Sequence, residues 1–236
     1  MIGKQQTNID PSKTITKSYI KQFERRSSIT ISSSVLFIEN SCFSDCHFLK
    51  SISVDPDNMK FASIDGVLFT KNFDTLLCFP SYHRFATYKI PTSVRSIGDF
   101  AFDGCSSLLL ITIPSSVTSI GSGAFGWCSS LRSITIPSSV TSIGNGAFNQ
   151  CPDLQSITVE PNNPNYASKD GILFTKNFEI LLRFPIKHEF FEYTIPRMVT
   201  SIGDSAFSNC ENLELIRIST SVTSIGNSAF SECSNL

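Results

Sequence analysis

The sequence predicts a repeat solenoid that is mostly β-strand and contains little helix. Cysteines recur every 23 residues at Cys105, Cys128 and Cys151, and the residues between them follow the pattern C-x2-L-x2-I-x-I-P-x2-V-x2-I-G-x2-A-F-x2. The apolar residues of this pattern lack the period of about 3.6 residues that a helix requires. One unit has too few apolar residues to form a core by itself, so successive units must stack and bury them together.

A longer period of 105 residues lies over the short one. Residues 63–80 (SIDGVLFTKNFDTLLCFP) and 168–185 (SKDGILFTKNFEILLRFP) are identical at 13 of 18 positions. Both contain an Asp-Gly pair, which favours a tight turn. We therefore expect VLFT to pair with TLLCF, and ILFT with ILLRF, as protruding hairpins. The two enlarged loops that contain them are residues 55–80 and 160–185.

Residue types within one unit explain why it coils. The two apolar residues of I-x-I share one face of a strand, and the proline that follows ends the hydrogen bonding of that strand. V-x2-I forms a second short extended segment, because β-branched residues favour strand, and the Phe of A-F fills the interior. The second apolar residue of I-x-I predicts ten stacked parallel strands along one side. Its ten positions are Ile31, Val54, Phe79, Ile90, Ile113, Ile136, Val159, Phe184, Ile195 and Ile218.

Both ends of the repeat array depart from the pattern. Residues 12–30 fit a degraded unit and are interpreted as an N-terminal cap, residues 1–11 as a tail, and residues 12–236 as one continuous solenoid. At Leu236 the sequence stops before the strand of its unit, so the polar C-terminal cap of a solenoid is missing. We expect an open apolar end there, and hence a truncated protein or end-to-end self-association.

The repeat unit resembles the BspA-like (treponemal-type) leucine-rich repeat, and the DGxLFTKN…LLxFP blocks resemble that family as well. The resemblance covers about residues 12–236. It implies a right-handed leucine-rich-repeat solenoid with a curved parallel sheet. It also implies a cell-surface or secreted protein that recognises or adheres to a protein or glycan on another cell or matrix. The chain shows no signal or anchor, so a cytoplasmic location stays open.

Motifs for catalysis are missing from the sequence, which predicts a protein that is not an enzyme and uses no cofactor or metal. There is no P-loop, no G-x-S-x-G and no H-E-x-x-H. His83 and His188 recur with the 105-residue period and are interpreted as loop residues. The acidic and amide-rich loops at 55–58 and 160–165 are interpreted as turns rather than calcium sites.

Charge and hydropathy narrow the choice of partners. A formal net charge of −1 provides no basic excess to neutralise the phosphates of a nucleic acid. No run of about eighteen apolar residues is present, which predicts the absence of a membrane span.

Cysteines at the repeat position are expected to be small buried core residues. The C-x2-C pairs typical of zinc sites are missing. Cys105, Cys128 and Cys151 are predicted to be stacked and reduced. Cys78 lies outside the repeat position, and strand alternation around Leu77 and Phe79 predicts that it points outward.

The exposed face of the parallel sheet is the predicted binding surface, because its side chains vary between units and combine hydroxyl, apolar and arginine groups. The alternative site is the pair of hairpins, where Phe73 and Phe178 are expected to be exposed and to insert into a partner. The alternative function is a structural spacer or self-associating scaffold without a specific ligand, because Thr is an ordinary exposed strand residue. The predicted sheet site consists of Leu110, Thr112, Arg132, Thr135 and Gln155.

Overall fold

The computed structural model describes residues 7–9 and 13–236, and this part of the chain winds into a β-solenoid. Its helical segments are α1 (Lys17–Ile20) and the adjoining 3-10 turn Lys21–Phe23. The strands in chain order are β1 (Thr7–Ile9), β2 (Thr14–Ile15), β3 (Ser28–Ile31), β4 (Phe37–Ile38), β5 (Ser51–Val54), β6 (Phe61–Ile64), β7 (Val67–Thr70), β8 (Thr75–Cys78), β9 (Thr87–Lys89), β10 (Ser96–Ile97), β11 (Leu110–Thr112), β12 (Ser119–Ile120), β13 (Ser133–Ile136), β14 (Ser142–Ile143), β15 (Ser156–Val159), β16 (Tyr166–Lys169), β17 (Ile172–Thr175), β18 (Ile180–Arg183), β19 (Glu192–Thr194), β20 (Ser201–Ile202), β21 (Leu215–Arg217) and β22 (Ser224–Ile225).

The I-x-I segments form what we call the first side of the solenoid. Its strands pair in parallel within the groups β1-β3-β5, β9-β11, β13-β15 and β19-β21. Equivalent residues of neighbouring units lie opposite each other, so that Thr135 pairs with Thr158. Along β13, Ile134 and Ile136 are buried while Ser133 is exposed. This alternation confirms the parallel, repeat-based solenoid that the sequence predicts.

The V-x2-I segments form the second side, where β10, β12 and β14 stack in parallel, as do β20 and β22. Strands β6, β7 and β8 form an antiparallel meander, and β8 then pairs in parallel with β10. Strands β16, β17 and β18 repeat this arrangement beside β20. The pairing of the predicted hairpin strands is confirmed. Their protrusion is wrong, because the hairpins continue the wall of the second side.

Phe79 and Phe184 do not belong to first-side strands, which corrects two of the ten predicted positions. Phe79 follows the second-side strand β8, and its N–H donates to the carbonyl of Ala101 at 2.7 Å. Its ring stacks on that of Phe102 with centroids 5.1 Å apart, and Phe184 stacks on Phe207 at 5.2 Å. Both residues therefore take the position that the Phe of A-F has in a regular unit. Each belongs to a unit that lacks part of the 23-residue pattern, which we call a shortened unit. The sequence misleads because an apolar residue before proline occurs in both patterns.

Tight turns of the hairpins interrupt the first side, so a continuous ten-strand sheet is wrong. Asp65 and Gly66 have φ values of 51° and 83°, the type I′ geometry that Asp-Gly favours. The carbonyl of Gly66 accepts from the N–H of Ile52 at 2.9 Å. The turn thus pairs with β5 at the place where the next strand would lie, and the equivalent turn of the second block does the same beside β15.

Part of the predicted N-terminal tail is a strand. Strand β1 pairs in parallel with β3, and Ile9 is fully buried opposite Ile31. The sequence hides this strand because it contains a single apolar residue. Residues 1–6, 10 and 11 of the predicted tail lie outside the described residues. The boundaries of the N-terminal cap stay a prediction.

Apolar side chains are more exposed in the C-terminal coil than in the coil before it. Ile225 is exposed, whereas its in-register neighbour Ile202 is fully buried. The missing cap and the end-to-end self-association stay predictions.

The repeat cysteines form an internal ladder. Cys105, Cys128 and Cys151 are buried and unbridged, and each thiol donates to a phenylalanine carbonyl of the preceding coil at 3.4, 3.1 and 3.0 Å. Burial raises the pKa of Cys151 to about 12. Cys78 is buried as well, which corrects its predicted outward orientation. Along β8 it is Leu76 and Cys78 that face inward, and the following phenylalanine enters the core from the turn.

Candidate binding surface

The five residues of the predicted sheet site lie on one exposed surface, which we call the sheet patch. Leu110 and Thr112 are the exposed residues of β11, and Thr135 is exposed on β13. Arg132 and Gln155 precede β13 and β15 and are exposed as well. Alternation within the strands exposes Leu110, Thr112 and Thr135, and the segments that lead into β13 and β15 expose the other two.

Stacking brings these side chains into columns across the coils. The N–H of Gln155 donates to the carbonyl of Arg132 at 2.8 Å, which sets the two residues side by side. Thr135 lies opposite Thr158 in the next coil. Neighbouring coils are about 4.8 Å apart, so the sheet patch is a compact, regular surface.

Two adjacent leucines give the sheet patch its apolar character. Leu109 and Leu110 are 47% and 51% exposed, and the residue equivalent to Leu110 in the second block, Leu215, is exposed too. No described residue forms an ion pair with Arg132, so its guanidinium is available to a partner. Exposed apolar groups beside an arginine are typical of the anchors of protein interfaces.

Phe73 and Phe178 are less exposed than the sequence predicts, and their insertion into a partner stays a prediction. Both lie half-buried against the core, with ring centroids 5.6 Å from Phe69 and 5.2 Å from Phe174. Each has φ = 59°, and this left-handed turn directs the ring back onto its own hairpin. Asp74 fixes the tip of the first hairpin by accepting hydrogen bonds from three neighbouring side chains. These hydrogen bonds, the one from Thr70 first, lower the pKa of its carboxyl group.

The two recurring histidines hold the hairpin turns in place. His83 is buried, its Nε2 lies 2.8 Å from the carbonyl oxygen of Asp65, and its Nδ1 accepts from the N–H of Phe85 at 3.2 Å. This pattern requires a neutral ring that is protonated at Nε2. Burial also lowers the pKa of His83. His188 makes the same pair of bonds in the second block, so neither imidazole has a nitrogen free for proton transfer.

Asn58 and Asn163 use their amides inside the fold. Asn163 is fully buried, and its Nδ2 donates to the carbonyls of Pro137 and Val140 at 2.9 and 2.8 Å. Its Oδ1 accepts from the N–H groups of residues 165 and 166. The amide is therefore fully engaged and ties one coil to the next. Among the described residues, no cluster of three His, Cys, Asp or Glu side chains is arranged to hold a metal ion.

Behind each hairpin lies a cleft, of about 190 Å³ in the first block and about 260 Å³ in the second. Arg183 lines the second and is almost fully buried, where its guanidinium donates to the Ser205 carbonyl and the Ser208 hydroxyl at 2.6 and 2.9 Å. The equivalent residues of the first cleft are Cys78 and Asp103, and burial raises the pKa of Asp103 to about 6. In the sequence, this difference is signalled by the exchanges of Cys78 for Arg183 and of Asp103 for Ser208 at the 105-residue offset.

Similarity to known proteins follows the same repeat. Residues 5–74, 77–178 and 184–236 match, in six copies, the family described as BspA type Leucine rich repeat region. The chain belongs to the BspA-type leucine-rich repeat family. The BspA-type match spans most of the chain, which confirms the resemblance carried by the 23-residue unit.

Solved structures of bacterial leucine-rich repeat proteins share this BspA-type fold. A leucine-rich cell surface protein from Faecalibacterium prausnitzii has a TM-score of 0.69 and 26% identity, and the match covers 99% of this chain and 69% of that one. The pneumococcal vaccine antigen PcpA has a TM-score of 0.66 and 26% identity, with 89% and 49% covered. A leucine-rich repeat protein from Eubacterium ventriosum has a TM-score of 0.65 at 21% identity, with 96% and 64% covered, and shows the fold alone.

The chain therefore spans about half the length of the pneumococcal antigen. No curated protein sequence matches it. The helical segments of the described residues, at most four residues long, are too short to cross a bilayer. A BspA-type scaffold that exposes a long regular surface is consistent with a binding or recognition module.

Proposed function

We propose that this protein is a non-enzymatic recognition module that binds a protein or glycan on another cell or matrix through the sheet patch. The exposure of Leu109 and Leu110 beside the unpaired Arg132 carries this proposal. Burying one leucine on binding contributes about 2 kcal/mol, so two adjacent leucines form a substantial anchor. A protein partner suits this apolar pair best.

A location at the cell surface or in the secreted fraction belongs to the same proposal. One similar structure is that of a cell surface protein, and another is that of a vaccine antigen. Both share the fold at 26% identity. A surface location would place the sheet patch in contact with other cells.

The competing function is a spacer or self-associating scaffold without a specific ligand. Thr112, Thr135 and Thr158 form the uniform hydroxyl column that such a role allows. A spacer that does not self-associate has no use for two neighbouring exposed leucines, which lower the solubility of a surface. This difference favours recognition and shows where the two functions can be separated.

A binding screen with matched variants tests the proposal. The chain is applied to a panel of purified extracellular-matrix proteins and to an immobilised glycan array. Leu110→Glu/Arg132→Glu alters the sheet patch, and Arg95→Glu/Thr118→Glu makes the same change in net charge on exposed second-side residues. We expect the first variant to lose at least about tenfold in affinity and the second to bind normally. Equal binding by both variants, or no binding anywhere, would favour the spacer.

A further inference from the structure

A trough of about 520 Å³ lies at the corner beside the first side, on the turns around the repeat cysteines Cys128, Cys151 and Cys210. It lies between the turns that carry Gln150 and Asn209, because the shortened unit between them contributes only Ile186 and Lys187 to this surface. Trp127 lines the end of the trough. The volume is in the range of small-molecule sites, about 300 to 1,000 Å³. We call this feature the Trp127 trough.

Trp127 occupies a backbone position that does not suit it. The residue before the repeat cysteine is left-handed in several units, with φ values of 69° at Gly104, 57° at Trp127, 56° at Gln150 and 63° at Asn209. Glycine and asparagine adopt this conformation readily, whereas it strains a bulky aromatic residue. The indole is nevertheless 61% exposed and stacks on no described aromatic ring. Stacking within the fold therefore does not explain this tryptophan, and its exposed ring is available to a ligand.

Polar side chains line the rest of the trough and have no side-chain partners among the described residues. The lining includes the amides of Gln150, Asn209 and Asn212 and the carboxylates of Asp153 and Glu211. None of these five side chains forms a hydrogen bond or ion pair with another described residue. Planar amides and carboxylates are suited to pair with adjacent hydroxyl groups, since each offers two polar atoms in one plane.

An exposed flat ring bordered by such groups matches the chemistry of a sugar. The indole face can contact the C–H face of a pyranose, while the amides and carboxylates exchange hydrogen bonds with its hydroxyls. Asp153 and Glu211 outweigh Lys187, so the trough does not favour an anionic ligand. We propose that the Trp127 trough binds an uncharged oligosaccharide, with Trp127 as the stacking platform.

The only tryptophan of the sequence is Trp127, so its fluorescence reports on this site directly. The full chain is titrated with maltotetraose, cellotetraose, mannotriose and triacetylchitotriose, and emission and acrylamide quenching are recorded. At least one sugar is expected to give a saturable blue shift and to protect the indole from quenching. Absence of a saturable change with all four overturns the proposal.

Calorimetry of variants tests whether Trp127 itself contacts the ligand. It uses the sugar that gives the fluorescence shift. Trp127→Gly adopts the glycine that the chain already has at position 104, so it is expected to fold with equal or higher thermal stability. It should lose at least about tenfold in affinity, or about 1.4 kcal/mol. Phe100→Gly removes another exposed aromatic residue with positive φ and should bind normally. Wild-type affinity in Trp127→Gly contradicts a role of Trp127 as the stacking platform.

Discussion

His188 Nε2 lies 2.6 Å from the carbonyl oxygen of Asp170 and thereby ties the second hairpin turn to the shortened unit that follows it. His83 makes the same contact with Asp65 at 2.8 Å. Each turn interrupts the hydrogen bonding of the first side. Each histidine therefore secures an irregular point of the solenoid, and the sheet patch lies between the two hairpins, on strands β11 and β13 and the segments before β13 and β15.

Replacing His83 with alanine is expected to destabilise the protein by about 2 to 4 kcal/mol. The change leaves the Asp65 carbonyl and the Phe85 N–H without partners and removes a buried ring that contacts Phe79 at 4.6 Å. Chemical denaturation measures the loss. His47→Ala, at an exposed histidine, is the control and should change little. An equal loss of stability in the two variants would show that the hydrogen bonds of His83 do not stabilise the turn.

Asp103→Asn is expected to stabilise the protein at pH 8 but not at pH 4. Burial raises the folded-state pKa of Asp103 to about 6, above the ordinary value of about 3.9. The folded state therefore binds more protons in this window, and the stability due to protonated Asp103 is lost as pH rises through about 6. The gain should be about 1 kcal/mol after allowance for solvent screening. Denaturation midpoints across this pH range measure it.

The exposed Asp153 provides the control for that pH profile. Asp153→Asn removes the same kind of side chain without relieving burial, so it should stabilise the protein at pH 8 less than Asp103→Asn does. A gain for Asp103→Asn that is larger at pH 4 would contradict the burial of the carboxyl group.

Asn163→Ala is expected to destabilise the protein by about 3 kcal/mol or more. The change leaves the Val140 carbonyl and two backbone N–H groups without the partner that the amide provides, and removes one of the two hydrogen bonds to the Pro137 carbonyl. The neighbouring Asn162 is exposed and has φ = 67°, so Asn162→Gly should be neutral or slightly stabilising. Thermal unfolding of both variants distinguishes a coil-joining amide from an ordinary loop residue, for which the two effects would be similar.

Alkylation without reductant should leave Cys105, Cys128 and Cys151 unmodified in the native protein. Their thiols are buried, and burial raises the pKa of each. The partly exposed Cys233 should react first, and all cysteines should react after unfolding. Mass spectrometry counts the modified thiols. Stoichiometric disulfides among the three ladder cysteines would contradict their reduced state.

Repetition made much of the fold predictable, because each strand lies against a copy of itself. The exposure of Leu110, Thr112 and Thr135 is predictable as well, since alternation in I-x-I decides which strand residues face out. The shortened units are harder to predict from the sequence, because proline follows Phe79 just as it follows the last apolar residue of a first-side strand. The inward orientation of Cys78 is missed for the same reason.

Trp127 illustrates a second reason why part of the structure is not predictable from the sequence. Its strain comes from a left-handed backbone that the sequence does not reveal directly. The available signal was a tryptophan at a position where other units have Gly104 and Asn209. Arg183 is a similar case, because its burial depends on carbonyls that only the folded turn brings together.

Side-chain oxidation by hydroxyl radicals tests most directly whether the sheet patch binds. The chain is oxidised alone and in complex with the partner found in the binding screen, and each site is quantified by mass spectrometry. Oxidation of Leu109 and Leu110 should fall in the complex, whereas Phe37 and Met198, exposed outside the sheet patch, should be oxidised as before. Protection of Phe37 or Met198 with unchanged oxidation of both leucines would contradict recognition through the sheet patch.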